Sequence, residues 1–442
     1  MNQTASDVAS AIAPDRRLIV VSMDSHVSAP VDAYRPFCDR QYKDELDTFI
    51  AHIDEHRIGA TDSAGPGAAA GISERRDRYL ARLEKEYGSD ELNSDLNTRL
   101  RIMDEDGIAA EVIYHGGHNG QPIPFFGPTL HGSFGQTLPE EGRARHLRLA
   151  GLRMYNRWLA DWIQPAPERL IGLAHIPFWD VALSVEEVKR AYRDGLRGVN
   201  LPAPRHGVAS YNDPVWDPFW AVCCELGLAL HTHGGGGDRF SVDGPGAYPL
   251  MATELFFAAR RAMPQLIFGG VFERFPELRL VLTEQTGEWV METLNDFDSV
   301  YFSPLQERTV PFLRDVIPHK PSDYFRSNCY IGASFMARFE AESAIENDYW
   351  PNMAWGRDFP HPESTWPYTI ESLRATFAGL PREKAAAMIG GNAVRFLQLD
   401  GEKLSAVADR IGPTAEEIDE PLLERPEGSD ISLGFRTIGS FA

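Results

Sequence analysis

Apolar runs of four to eight residues, each bounded by turn-forming residues, recur along the chain and alternate with stretches whose apolar positions return every three to four residues. The runs predict strands over 17–23, 110–114, 170–176, 198–201, 228–233, 278–284, 329–333 and 353–356. Helical spacing fills most of the gaps between them, as at 143–163, 181–194, 214–226 and 287–300. Strands that read as continuous apolar runs are buried on both faces, and their alternation with helices implies a parallel sheet. Eight such units predict an α/β fold that closes into a (β/α)8 TIM barrel.

Two gaps exceed an ordinary barrel loop. Residues 27–101 separate the first two strands and include a charged helical stretch near 73–87; residues 116–139, rich in Gly, Pro and aromatics, follow the second strand. Loops of this length are uncommon unless functional, so 116–139 is expected to act as a lid. The barrel domain is assigned to 1–400. The remainder, 401–442, carries an acidic, Pro-containing run at 414–430 and reads as a C-terminal arm or disordered tail, a candidate contact in a homodimer.

Composition narrows the partners. A formal net charge of -21 speaks against nucleic acid and anionic membranes, both of which require basic patches. No run of about twenty apolar residues is present and the N-terminus lacks a secretory pattern, so a cytoplasmic protein is expected. Cys38, Cys223, Cys224 and Cys329 lack zinc-finger spacing and are read as reduced core thiols.

Candidate chemistry gathers where predicted strands give way to loops, the end at which parallel barrels carry their sites. Asp24 and His26 end the first strand, His231 and His233 the fifth, Glu284 the sixth, and Asp358 and His361 follow the eighth. Alternate strand residues share a face, so Asp24 and His26 can reach one ion together, as can His231 and His233. Imidazole and carboxylate suit zinc, manganese or iron. For several residues two readings stand. Asp24 and Asp358 are ligands or turn-forming residues; His231 is a second ligand or hydrogen-bonds the ligands; His361 relays protons or orders its loop. His175 lines the pocket or packs, and Glu254 is a solvated helix residue unless a second metal is present. Arg357 could pair with a substrate carboxylate, although its side chain is expected to point away from Asp358. Phe125, Phe126 and Phe134 suggest an apolar substrate or simply anchor the lid.

The segments VVSMDSHVSAP, LALHTHGGGG, GGVFERFPELRLVLTEQTGEWV and WGRDFPHPESTWP resemble the amidohydrolase-related family of the amidohydrolase superfamily, which includes decarboxylases of aminocarboxymuconate semialdehyde and of hydroxybenzoates. The resemblance spans about residues 17 to 398. It implies a divalent metal held by Asp24, His26, His233 and Asp358, with His233 preferred to His231 because a small-residue turn follows it. Two departures stand out. The fourth strand, GVNLPAP, has no lysine to bridge two metals, which favours one ion over two; and Glu284 stands where many members carry a catalytic histidine. Glu284 is therefore either the acid/base or a further ligand, with His361 and His231 as alternative proton carriers.

These readings predict a metal-dependent hydrolase or nonoxidative decarboxylase acting on a small carboxylated or acyl, largely apolar substrate. The alternative is a non-haem iron monooxygenase on the same barrel, which the carboxylate-rich ligand set invites; the family resemblance adds the expectation of two irons and a secondary-metabolite pathway. A non-catalytic ligand-binding barrel is the third.

Overall fold

The computed structural model describes residues 17–55, 81, 94–116, 121–126, 138–234, 245, 247–305 and 313–440. The expected charged helix at 73–87, apart from Ala81, most of the lid with Phe134, and 235–237 of the turn after His233 lie outside the described residues.

Eight parallel strands follow one another round the sheet in sequence order, β1 (Val20–Val27), β2 (Ile108–His115), β3 (Leu170–His175), β4 (Gly198–Asn200), β5 (Ala229–Thr232), β6 (Leu280–Thr283), β7 (Cys329–Ser334) and β8 (Met353–Gly356). Every strand residue is buried, which is why the strands read as unbroken apolar runs. The ring closes just beyond β8, where the Asp358 amide donates to the Asp24 carbonyl at 2.8 Å and the His26 amide to the Phe359 carbonyl at 2.6 Å. The fold is the expected TIM barrel.

Inside the ring, Val21, Met23, Val112, Tyr114, Ile171, Leu173, Ala229, Val281, Tyr330 and Ala354 form one apolar cluster with Phe396, Leu404 and Val407. The last three come from the helices Asn392–Leu397 and Gly401–Ile411, which plug the N-terminal end of the barrel. The larger cluster lies between strands and outer helices, with Trp216, Trp220 and Trp355 fully buried.

Predicted and observed elements differ at their ends. Helices Arg143–Ile163 and Val181–Asp194 have the predicted bounds, whereas 214–226 divides into a 3-10 turn, Pro214–Trp216, and the helix Asp217–Glu225. The first strand runs to Val27, four residues past its expected end, so Asp24 and His26 lie within it. The C-terminal segment lies along the barrel as an ordered arm. Gly401–Ile411 packs under the barrel, and 414–440 climbs its side, tied by Arg374 to the Glu420 carbonyl at 2.9 Å and by Tyr368 to the Glu427 carbonyl at 2.8 Å. Among the described residues no helix is long and apolar enough to cross a membrane.

Candidate metal centre

Plain alternation cannot place Asp24 and His26 at the mouth while Val21 and Met23 fill the interior, because positions two apart share a face. A bulge resolves the conflict. Between the pairs Ser22 with Glu111 and Ser25 with Ile113, β1 carries one residue more than β2. The extra residue reverses the phase of alternation: Met23 stays in the apolar interior, and above it Asp24 and His26 reach the same centre.

Around that centre the side chains converge from β1, the end of β5 and the β8 loop. Asp24 Oδ1 lies 3.3 Å from His26 Nε2 and 3.2 Å from His233 Nε2. His26 Nε2 is also 2.9 Å from Asp358 Oδ1, and Asp358 Oδ2 lies 3.1 Å from His361 Nδ1. The His361 ring stacks on His26 with centroids 4.1 Å apart. Two buried donor triads result, Asp24, His26 and His233, and His26, Asp358 and His361, with the ligand atoms of each within 4.8 Å of one another.

Three further observations fit a divalent cation. His26 Nδ1 faces the His115 carbonyl at 3.3 Å and His233 Nδ1 the Gly234 carbonyl at 2.9 Å. Donation from Nδ1 to a backbone carbonyl leaves each Nε2 lone pair aimed at the centre, the tautomer a metal requires. Asp24 Oδ2 accepts a hydrogen bond from Ser334 Oγ at 2.5 Å, which fixes the rotamer of the carboxylate. Lastly, Asp24, Glu284 and Asp358 have only imidazoles as ion-pair partners among the described residues, with no Lys or Arg within 4.0 Å. Buried carboxylates in such number need a counter-charge.

The electrostatics express that need. Burial raises the pKa of Asp24, but His233 and His26 outweigh it and hold the carboxyl well below its ordinary range. Asp358 is pushed well above it by burial and by the charges of Asp24 and Glu284. Burial lifts Glu284 to about 7 against the pull of His233 and with the push of Asp24. Burial depresses His233, yet the adjacent Asp24 raises it overall. One carboxyl ionised beside two that resist ionisation is what burial and mutual repulsion of neighbouring carboxylates produce, and a cation bound among them would relieve it.

Glu284 stands slightly apart. Its Oε2 lies 3.5 Å from His233 Nδ1, on the edge of the ring opposite Asp24, and it belongs to neither triad. Glycine at 234 makes this approach possible, because a Cβ there would come within 2.0 Å of Glu284 Oε2. Both Glu284 (φ 55°) and Asp358 (φ 59°) adopt left-handed backbone, a conformation that costs on the order of 1 kcal/mol and concentrates at functional sites.

The remaining candidates are used elsewhere. His231 lies inside the barrel, its Nδ1 3.0 Å from Tyr114 Oη, and burial lowers its pKa to about 3. His175 is buried against Tyr155, 3.1 Å from Asn200 Nδ2, also at about 3. Glu254 lies 3.6 Å from Arg261. Arg357 does turn away from the centre: it ion-pairs with Asp106 at 2.7 Å and with Glu111. Phe126 is buried beneath Arg148, whose guanidinium carbon is 4.2 Å from the ring centre, and Phe125 packs on Phe49. Two contributors escaped the sequence reading. Ser334 carried no motif, and Tyr114, whose ring lies 4.6 Å from that of His233, read as an ordinary strand aromatic.

Comparison with known proteins agrees with this architecture. The chain is 25% identical over 265 residues to a 2-amino-3-carboxymuconate-6-semialdehyde decarboxylase of Dictyostelium discoideum, a stretch covering 56% of this chain and 66% of that relative, just under two thirds of its length. An amidohydrolase from Mycobacterium avium subsp. paratuberculosis shares the fold with a TM-score of 0.62 at 19% identity, over 87% of this chain and all of the other. A dihydroxybenzoic acid decarboxylase from a Polaromonas species, solved with bound manganese and the inhibitor 2-nitroresorcinol, gives 0.57 at 17% identity, over 87% and 99% of the two chains. The amidohydrolase family model matches residues 134–399, more than half of the sequence, and the chain belongs to that family.

Proposed function

We propose that the chain is a metal-dependent lyase that removes a carboxyl group, without oxidation, from a small and largely apolar substrate such as a carboxylated aromatic ring. The observation that carries the reading is the buried set Asp24, His26, His233, Asp358 and His361, which lacks a cationic side chain and presents two Nε2 atoms to one centre. The named activities of the relatives favour a lyase over a hydrolase. In this reading Asp24, His26, His233 and Asp358 hold one divalent ion, with His361 beside them.

When bound, such an ion would orient the substrate's oxygens and stabilise the negative charge left on carbon as carbon dioxide departs. Glu284, which is close to half-protonated near neutrality, supplies a proton from Oε2 to that carbon; the carbon–carboxyl bond breaks, a carbon–hydrogen bond forms, and water restores the proton. Tyr114, whose ring lies 4.6 Å from that of His233, keeps one wall of the centre apolar, which favours release of carbon dioxide over retention of the charged carboxylate. The reading places the protein in the cytoplasm with a small-molecule substrate, and light scattering would establish whether it forms a homodimer.

The test is anaerobic incubation of protein loaded with Mn(II) or Zn(II) with a panel of hydroxybenzoates, following carbon dioxide and the decarboxylated product by mass spectrometry. Release from at least one substrate, abolished by a chelator, is the expected result. A second reading draws on Glu284: a third carboxylate makes the centre rich enough in oxygen donors for non-haem iron and O2 chemistry. Oxygen consumption by Fe(II)-loaded protein, with no carbon dioxide from any substrate, would replace the first reading by the second.

A further inference from the structure

The C-terminal segment ends on the site's own loops, and we infer that it is a strap that positions the metal centre, with Arg436 and Glu340 as its clasp. The inference rests on the metal-site reading above. Arg436 is buried, and its guanidinium donates to the Phe335 carbonyl and to Glu340 Oε2. Phe335 is the residue after β7, held in left-handed backbone (φ 54°), and it directly follows Ser334, which orients Asp24.

Glu340 is fully buried and distributes the contact further. Its Oε1 accepts from the Gly287 amide at 2.7 Å and its Oε2 from the Ala337 amide at 2.8 Å. Gly287 belongs to the β6 loop, three residues beyond Glu284. A second attachment reaches the β8 loop, where the Leu433 amide donates to the Glu363 carbonyl at 2.8 Å, two residues past His361. Close packing leaves the strap little freedom: a Cβ on Gly434 would meet Ser372 Oγ at 2.6 Å.

One segment thus fastens the β6, β7 and β8 loops, which carry Glu284, the serine behind Asp24, and the Asp358–His361 pair. Each loop also holds a residue in left-handed backbone, a conformation that persists only where surrounding contacts enforce it. Arg436 and Glu340 touch neither the donor atoms nor the space between them. They are positioning residues, and their loss acts by letting the loops relax from the geometry the ion selects.

The experiment compares the unaltered protein with R436K, R436A and the double variant E340Q/R436Q, which removes both buried charges and so guards against unfolding caused by an unpaired carboxylate. Mn(II) alone is the probe, its free concentration followed by electron paramagnetic resonance, together with amide hydrogen exchange of the metal-free proteins and far-UV circular dichroism. Expected are an unchanged fold in the double variant, faster exchange in 284–288, 335–340 and 358–364, and Mn(II) affinity weakened about 10- to 100-fold, as for other residues that support ligands, with R436K closer to the unaltered protein. Mn(II) affinity within twofold of the unaltered protein, with exchange unchanged in those loops, overturns the inference and leaves the metal reading standing. Absence of Mn(II) binding by the unaltered protein itself overturns the metal reading and the strap's role with it.

Discussion

Asp24 sits between two imidazoles and is turned by one serine, so a small change at Ser334 should be read directly in metal affinity. Ser334→Ala removes the donor to Oδ2 at 2.5 Å and leaves a buried carboxylate oxygen unpaired, a loss of about 1–3 kcal/mol. Mn(II) binding is expected to weaken about 10-fold or more, measured by competition with a chromogenic chelator, and the melting temperature of the metal-free protein should fall by a few degrees in step with that loss. Glu284 separates base from ligand. Its carboxylate faces Nδ1 of His233, away from the Nε2 edge that meets Asp24, and it belongs to neither triad, so Glu284→Gln should retain full metal content and lose about 10²- to 10⁴-fold in turnover. Metal analysis beside the carbon dioxide assay decides: loss of the ion with the activity would make Glu284 a ligand.

The element that aligns these residues is the seam where β1, β2 and β8 meet. Arg99 donates to Glu111 Oε2 at 3.1 Å and to the His26 carbonyl; Arg357 pairs with Glu111 and with Asp106, which Thr369 also contacts at 2.8 Å. All four charges are buried, and removal of one partner from such a set costs about 3–5 kcal/mol. Glu111→Gln should destabilise by about that much in urea denaturation. Its pH dependence has a definite sign. Burial raises the Glu111 pKa, but Arg357 and Arg99 bring it below the ordinary 4.5. The unfolded state therefore binds the proton more readily, and this contribution is present above 4.5 and lost as pH falls through the folded value. The variant should lose stability less steeply than the unaltered protein on acidification below 4.5. This seam was not legible in the sequence, where Arg99 and Arg357 lie far apart and Glu111 interrupts an otherwise apolar strand. The eight strands were legible because burial on both faces leaves continuous apolar runs, and the candidate donors that converge in the structure because they stand near where those runs stop. Strand ends were less so: β1 outlasts its apolar run because a bulge carries Asp24 and His26 into it. The acidic, Pro-containing tail left arm and disordered end undecided because hydrogen bonds to scattered backbone carbonyls, such as that of Arg374 to Glu420, leave no periodic trace.

At the scale of the molecule, a chain of net charge -21 closes its barrel around two buried carboxylates, Asp24 and Asp358, with the half-buried Glu284 beside them, so cations should stabilise it in two separable ways. General screening acts on exposed charges, depends on ionic strength and saturates as the Debye length shortens to about 8 Å at 0.15 M salt. Binding at the centre acts only on the folded state, adding about 2.7 kcal/mol when free metal stands 100-fold above its dissociation constant. In 0.15 M salt the first effect is held constant, and Mn(II) or Zn(II) should still raise the melting temperature by several degrees, reversed by a chelator. Asp358→Asn is the internal control. It removes the proposed ligand oxygen 2.9 Å from His26 Nε2, and its melting temperature without metal should hold or rise, because burial and the neighbouring charges of Asp24 and Glu284 already disfavour the ionised carboxyl. Its response to metal should largely disappear. A metal-induced rise of equal size in both proteins would trace the effect to the acidic surface and deny the centre its ion; a rise confined to the unaltered protein assigns it to the buried site.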